Sequence, residues 1–161
     1  MTKETVLIFL AGKDNHLHPL EVLAHCRWEK TGELVGDAPH SIYRILNHII
    51  YWQNLFLERI AGGEGKSPVK PSTGWPGEIS PANEQEWMQA VQAFQDGFDT
   101  ASKLASQQDL SVKIPTFSNM TLGECIVFLA QHNNHHFGQI ITMCQVLGTW
   151  PASDDDWAEY E

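Results

Sequence analysis

The sequence predicts an all-α protein, a helical bundle with a connection of crossover size between its second and third long helices. Two segments run for about twenty residues or more with apolar positions three and four apart. Between the second and third helical stretches lies Gly62 to Pro81, with five Gly and four Pro in twenty positions, too many for either regular element. No alternating run demands a strand, so helices must bury their faces on one another. At 161 residues and 18.1 kDa, the chain fits one domain spanning 1–161.

Val6, Leu7, Phe9 and Leu10 place a first helix from Thr2 to about Asn15. Pro19 disfavours helix at His18 and can open a short second piece through Leu23 and His25. Trp28 to Val35 reads as a further short turn ending at Gly36. The second long helix runs from Ser41 to Ile60, with Asp37 and Ser41 as candidate caps and Gly62-Gly63 as its stop. A connection longer than about 12 to 15 residues serves a crossover, a lid or an exposed linker, and Trp75 in its middle argues against a solvated linker. The third long helix, from about Asn83 to Ser106, carries Trp87, Val91, Phe94, Phe98, Ala101 and Leu104 on one stripe, with Gly97 as a mild weakness. Pro115 falls in the next connection. Thr121-Leu-Gly-Glu124 then has the form of a capping box, opening a helix that runs to Leu147-Gly148. The acidic tail, with Asp154-Asp-Asp156, reads as a surface-packed or frayed end.

Composition narrows the function. Twenty acidic against ten basic residues give a net charge of -10 and a pI near 5.1, which repels a phosphate backbone and argues against nucleic acid or an anionic membrane as partner. No apolar run approaches the roughly 18 to 20 residues of a membrane span, and Val6 to Ala11 is shorter than a signal-peptide core, so a cytoplasmic protein is expected. Cys26, Cys125 and Cys144 are odd in number and far apart in sequence, without a CxxC pair, and read as buried thiols.

Eight His remain to be explained. At about 100° per residue, Leu122, Cys125, Ile126, Leu129, Ile140, Met143, Cys144 and Leu147 form the core stripe of the last helix. His136 falls inside this stripe and His132 on its edge, while His135 points away. Two imidazoles four residues apart can share a metal ion. On the second long helix, His48 belongs to the inward band beside Ile45, Trp52 and Leu55, opposite Arg44, Asn47, Tyr51, Asn54 and Glu58. Three imidazoles from two helices would leave open positions, as catalytic zinc requires. The alternative is three core histidines satisfied by hydrogen bonds. The sequence has no HExxH and no Glu-x-x-His pair for a di-iron site. His16, His18, His25 and His40 stand near element ends, either as surface groups or over the mouth of a bundle site. No residue is singled out as a catalytic acid, base or nucleophile.

The segment Ser41-Ile-Tyr-Arg-Ile-Leu-Asn-His48-Ile-Ile-Tyr-Trp52 resembles the second-helix motif of the DinB-like superfamily, in which one His is followed four residues on by Trp. His132-Asn-Asn-His-His136-Phe-Gly-Gln139-Ile, with Leu147-Gly148 beyond, is similar to the H-x-x-x-H-x-G-Q signature of the last helix in that family. The resemblance implies an all-α four-helix bundle of DinB/YfiT type whose second and third helices run parallel, with Gly62 to Pro81 as the long crossover connection between them. It also implies a divalent ion, nickel or zinc among others, held by His48, His132 and His136. Where the family often carries Arg after the final His, this chain has Phe137, so no role of that Arg transfers.

By the same resemblance the expected function is a metal-dependent hydrolase acting on a small molecule. The alternatives are a metal-dependent thiol S-transferase and a non-catalytic metal- or ligand-binding bundle. Arg27, Arg44 and Arg59 are the only arginines, which gives little sign of a pocket for an acidic thiol. A homodimer is also implied, to which Trp150 and Trp157 are candidate contributors.

Overall fold

The computed structural model describes residues 1–12, 17–67 and 70–150. Helices dominate: α1 (Lys3–Ala11), α2 (Pro19–Ala24), α3 (Ile42–Ile60), α4 (Glu84–Gln107) and α5 (Leu122–Val146). Helix α3 lies between α4 and α5, and α1 packs on α4 and α5 across the bundle from it. The buried faces merge into one apolar core that includes Val6, Leu46, Ile49, Phe94, Ile126, Leu129 and Ile140. Among the described residues no helix is long and apolar enough to cross a membrane.

Local chemistry sets the helix ends. Helix α1 stops at Gly12, whose φ of 76° places it in the left-handed region that glycine enters without strain, earlier than the run towards Asn15 expected from sequence. Asn15 and His16 lie outside the described residues. His18 caps α2: its Nδ1 accepts from the Leu20 N–H at 3.2 Å, while Glu21 accepts from the His18 N–H at 3.0 Å. The turn expected over Trp28 to Val35 is shorter, a 3-10 turn over Trp28–Lys30. It is closed by Thr31, whose hydroxyl donates to the Trp28 carbonyl at 2.8 Å. Ser41, rather than Asp37, caps α3. On α5 the capping box is present, with Thr121 Oγ1 accepting from the Glu124 N–H at 3.2 Å and Glu124 accepting from the Thr121 N–H at 2.7 Å. Replacing Thr121 by Ala is expected to lower stability by about 1 kcal/mol, read as a shift in the urea midpoint.

Contacts between helices fix their directions. Tyr43 Oη donates to Glu86 at 2.8 Å and Gln53 Nε2 donates to the Phe94 carbonyl at 3.0 Å, so α3 and α4 run parallel. Gln53 meets Asn133 and Phe56 meets Phe128, so α3 and α5 run antiparallel. A parallel neighbour requires the chain to return along α3, and the described residues 61–67 and 70–83 belong to that return. Arg59 Nε holds the Gly65 carbonyl at 2.6 Å near the end of α3. Gly74 lies against Trp52, where a Cβ would stand 3.1 Å from the indole nitrogen. Ser41 donates to the Ile79 carbonyl at the start of α3.

One feature departs from the helical expectation. Lys113–Ile114 and Met120–Thr121 pair as a two-stranded antiparallel ladder, here β1 and β2, with Lys113 opposite Thr121. Two residues per strand carry no period that a sequence can display. The ladder folds Phe117 onto Phe56 with ring centroids 5.5 Å apart.

All three cysteines are buried and free. Cys26 on the turn after α2 and Cys144 on α5 are far apart in sequence yet meet Sγ to Sγ at 3.5 Å. The hydrogen bond between them and burial together push the Cys26 thiol far up, while the same bond draws Cys144 down. Burial, with the nearby Glu124 carboxylate, pushes Cys125 up to about 11, which keeps it a protonated and poor nucleophile at neutral pH. Trp150 is half-buried and edge-on to His25, with ring centroids 5.4 Å apart. Trp157 and the acidic tail lie outside the described residues.

Candidate metal centre

His48 of α3 and His132 and His136 of α5 meet between the two antiparallel helices. Ring centroids lie 5.3 Å apart for His48 and His132, 4.5 Å for His48 and His136, and 4.7 Å for the α5 pair. One ring nitrogen from each lies within 4.8 Å of the others, an arrangement that could hold a metal ion. His48 and His136 are buried and His132 half-buried. His135, one residue from His136, is exposed, as its place on the helix requires.

Every ring is tied at Nδ1 to an oxygen. His48 Nδ1 faces the Gly74 carbonyl in the crossover connection. His136 Nδ1 lies 2.8 Å from Gln139 Oε1, one turn on along α5. His132 Nδ1 lies 3.4 Å from Asn133 Oδ1, a long contact whose sense is set deeper in the bundle. A backbone carbonyl only accepts, so Gln53 Nε2 must donate to Phe94 and Gln53 Oε1 must accept from Asn133 Nδ2, at 3.3 Å. That orients the Asn133 oxygen towards His132. At His48 and His132 the proton therefore belongs on Nδ1, which leaves the Nε2 lone pair for a ligand, and Gln139 Oε1 facing His136 matches the same tautomer there.

The rings are also uncharged. Burial first, then the neighbouring histidines, lowers His48 to about 4, against a partly opposing hydrogen bond to Gly74. Burial and His136 lower His132 to about 4, and burial lowers His136 as well. Three neutral imidazole nitrogens suit a divalent ion that takes nitrogen ligands better than magnesium or calcium, which take oxygen. The donor set thus fits a metal of that class.

These shifts have a sign. Unfolded imidazoles titrate near 6.5 and the folded His48 and His132 near 4, so between those values the unfolded chain binds more protons. The metal-free protein is expected to lose stability as pH falls from about 6.5 towards 4. Its urea midpoint should be lower at pH 5 than at pH 7.5, and the His48→Leu variant should flatten that difference.

Aromatic rings wall the site. Trp75 stacks on His48 at 3.7 Å on one side and on His40 at 3.7 Å on the other, and Trp52 lies 6.1 Å from His132. Of the four histidines near element ends, His18 is a helix cap, His25 packs on Trp150, and His40 joins this wall. Asn47 Nδ2 turns back to the Tyr43 carbonyl at 2.9 Å, away from the rings. The residues that sequence reasoning missed are Gly74, Gln53 and Asn133. A signal existed for Gln53, a polar side chain in the apolar stripe of α3 that is fully buried. None existed for Gly74, which acts through its backbone.

Comparison with curated proteins and with solved structures returns no match. The DinB superfamily model matches residues 15–140, a span that holds His48, His132 and His136, all of α3 and α5 as far as Ile140. With that match over most of its length, the chain belongs to the DinB superfamily.

Proposed function

We propose that His48, His132 and His136 hold a zinc or nickel ion through Nε2 and that the protein is a metal-dependent hydrolase of a small molecule. The observation that carries the reading is that three neutral rings, each facing an oxygen at Nδ1, bring one nitrogen apiece within 4.8 Å of one another. An ion of this class supplies Lewis acidity, which polarises an acyl oxygen or acidifies water. The chain does the rest: Gly74, Gln139 and Asn133 fix the rings, and Trp52 and Trp75 wall the centre from solvent. Among the described residues no Asp or Glu joins the three-histidine cluster, so the cluster itself supplies no carboxylate as a general base. That same feature favours, as the second reading, a bundle that binds a metal without turnover.

The test begins with protein purified without chelator or nickel resin. About one ion per chain, with ester hydrolysis that chelation abolishes and zinc or nickel restores, supports the proposal. A stoichiometric ion without turnover of esters or amides supports the second reading. A chain that takes up neither ion leaves the histidines as core packing and ends both.

A further inference from the structure

Beside the three histidines, on the far side of Trp75 from His48, a cavity of about 540 Å³ opens between α5, the start of α3 and the segment that precedes α3. Its size is that of a small-molecule site. Val35, Pro39, Ile45 and Met143 give it apolar walls. No Lys, Arg, Asp or Glu lines it, although the chain as a whole carries a charge of -10. Arg44 acts on His40 by its charge but is not a wall residue, and its Nη2 is turned to the Trp75 carbonyl at 3.4 Å.

The polar wall groups are His40 on the segment before α3 and His135, Gln139 and Thr142 on α5. Gln139 accepts from His136 Nδ1 through Oε1, so its amide Nε2 remains as a donor at the edge nearest the histidines. His40 Nδ1 is buried and has no hydrogen-bond partner among the described residues. Thr142 donates its hydroxyl to the Gly138 carbonyl at 3.0 Å and keeps only acceptor capacity. An anionic ligand would lose its hydration here and meet no Lys or Arg, and a cationic one would meet no carboxylate. A neutral apolar body with one acceptor group would bury its surface on the walls and take a hydrogen bond from Gln139.

We propose that this cavity binds an uncharged, largely apolar acyl compound, an ester or amide, with its carbonyl towards Gln139 and the adjoining His136. The assignment rests on the hydrolase reading for what reacts there, but binding in the cavity does not depend on it. It also separates the readings by chemistry, since an acidic low-molecular-weight thiol would find no Lys or Arg on these walls.

Gly138 provides the test. It lines the cavity on α5, and a Cβ there would meet no atom within 4 Å, so a large side chain can fill the space without disturbing the core. The probe is N-phenyl-1-naphthylamine, a neutral apolar fluorophore, compared with its 8-sulfonate, which adds one negative charge. The neutral probe should bind saturably at one site with blue-shifted emission, and the sulfonate about tenfold more weakly or worse. Gly138→Trp should weaken the neutral probe by about tenfold or more, with unchanged helicity and metal content, and Thr142→Trp should do the same from the next turn. Equal affinity in both plugged variants, or preference for the sulfonate, would overturn the assignment. Titrating metal-free and metal-loaded protein in parallel keeps the outcomes apart. Probe binding without any metal uptake retains the cavity and removes the hydrolase reading, whereas metal-dependent hydrolysis unaffected by the plugs does the reverse.

Discussion

The His136→Ala variant is expected to retain less than about a tenth of the metal bound by the parent protein, while His135→Ala keeps it. The two residues are neighbours in sequence and their ring centroids are 4.9 Å apart, so the pair controls for local helix composition. What differs is direction. His136 is buried and closest to both other rings, whereas His135 is exposed. Removing His136 leaves two imidazoles, one short of the set that catalytic zinc takes from protein. Its removal should cost little helix, since α5 is held by Ile126, Leu129, Ile140 and Cys144 in the core and Ala favours a helix. Elemental analysis beside far-UV circular dichroism separates loss of ligand from loss of fold. Gln139→Ala should act through His136, weakening metal affinity about 10- to 100-fold without removing a ligand. Retention of a full equivalent of metal in His136→Ala would mean that the ion, if bound, sits elsewhere.

Where helix periodicity carried the information, the sequence was legible. The long helices α3, α4 and α5 lie within a few residues of where the sequence puts them, and of the uses open to a connection of that length the parallel run of α3 and α4 selects the crossover. The inward direction of His48, His132 and His136 followed from the same rule of about 100° per residue. What stayed hidden was interaction between elements. The Gly74 carbonyl reaches His48 from 26 residues away, by a chain path that no local pattern encodes. Asn133 looks like one more polar residue in an Asn-rich and His-rich run, and only its contact with Gln53 on another helix orients its oxygen. Cys26 and Cys144 likewise carry no sign in sequence that their thiols touch.

Gly97 shows the same gap most sharply, and there the expected effect on stability is large. From sequence it is a weak point in α4, and Gly→Ala in a helix interior should stabilise by roughly 1 kcal/mol. In the fold, a Cβ at Gly97 would stand 2.0 Å from Gln53 Nε2 and 2.6 Å from its Cδ. A flexible side chain would move aside, but Gln53 is fully buried and joins the Phe94 carbonyl to Asn133. Moving it costs overpacking of about 1 to 3 kcal/mol and leaves buried amide groups unpaired at about 1 to 3 kcal/mol. Against the gain in propensity, Gly97→Ala is expected to destabilise by about 3 kcal/mol, or roughly 10 °C in Tm for a chain of this size. Gly138→Ala, the same change where a Cβ meets nothing within 4 Å, should raise stability by a few tenths to about 1 kcal/mol. Thermal unfolding of the two variants therefore compares one substitution with opposite signs. A double variant that also shortens Gln53 to Ala should recover the overpacking part, so its loss should fall short of the sum of the singles. Strict additivity would mean that Gly97 and Gln53 do not meet, and with that the amide chain that orients His132 would fall.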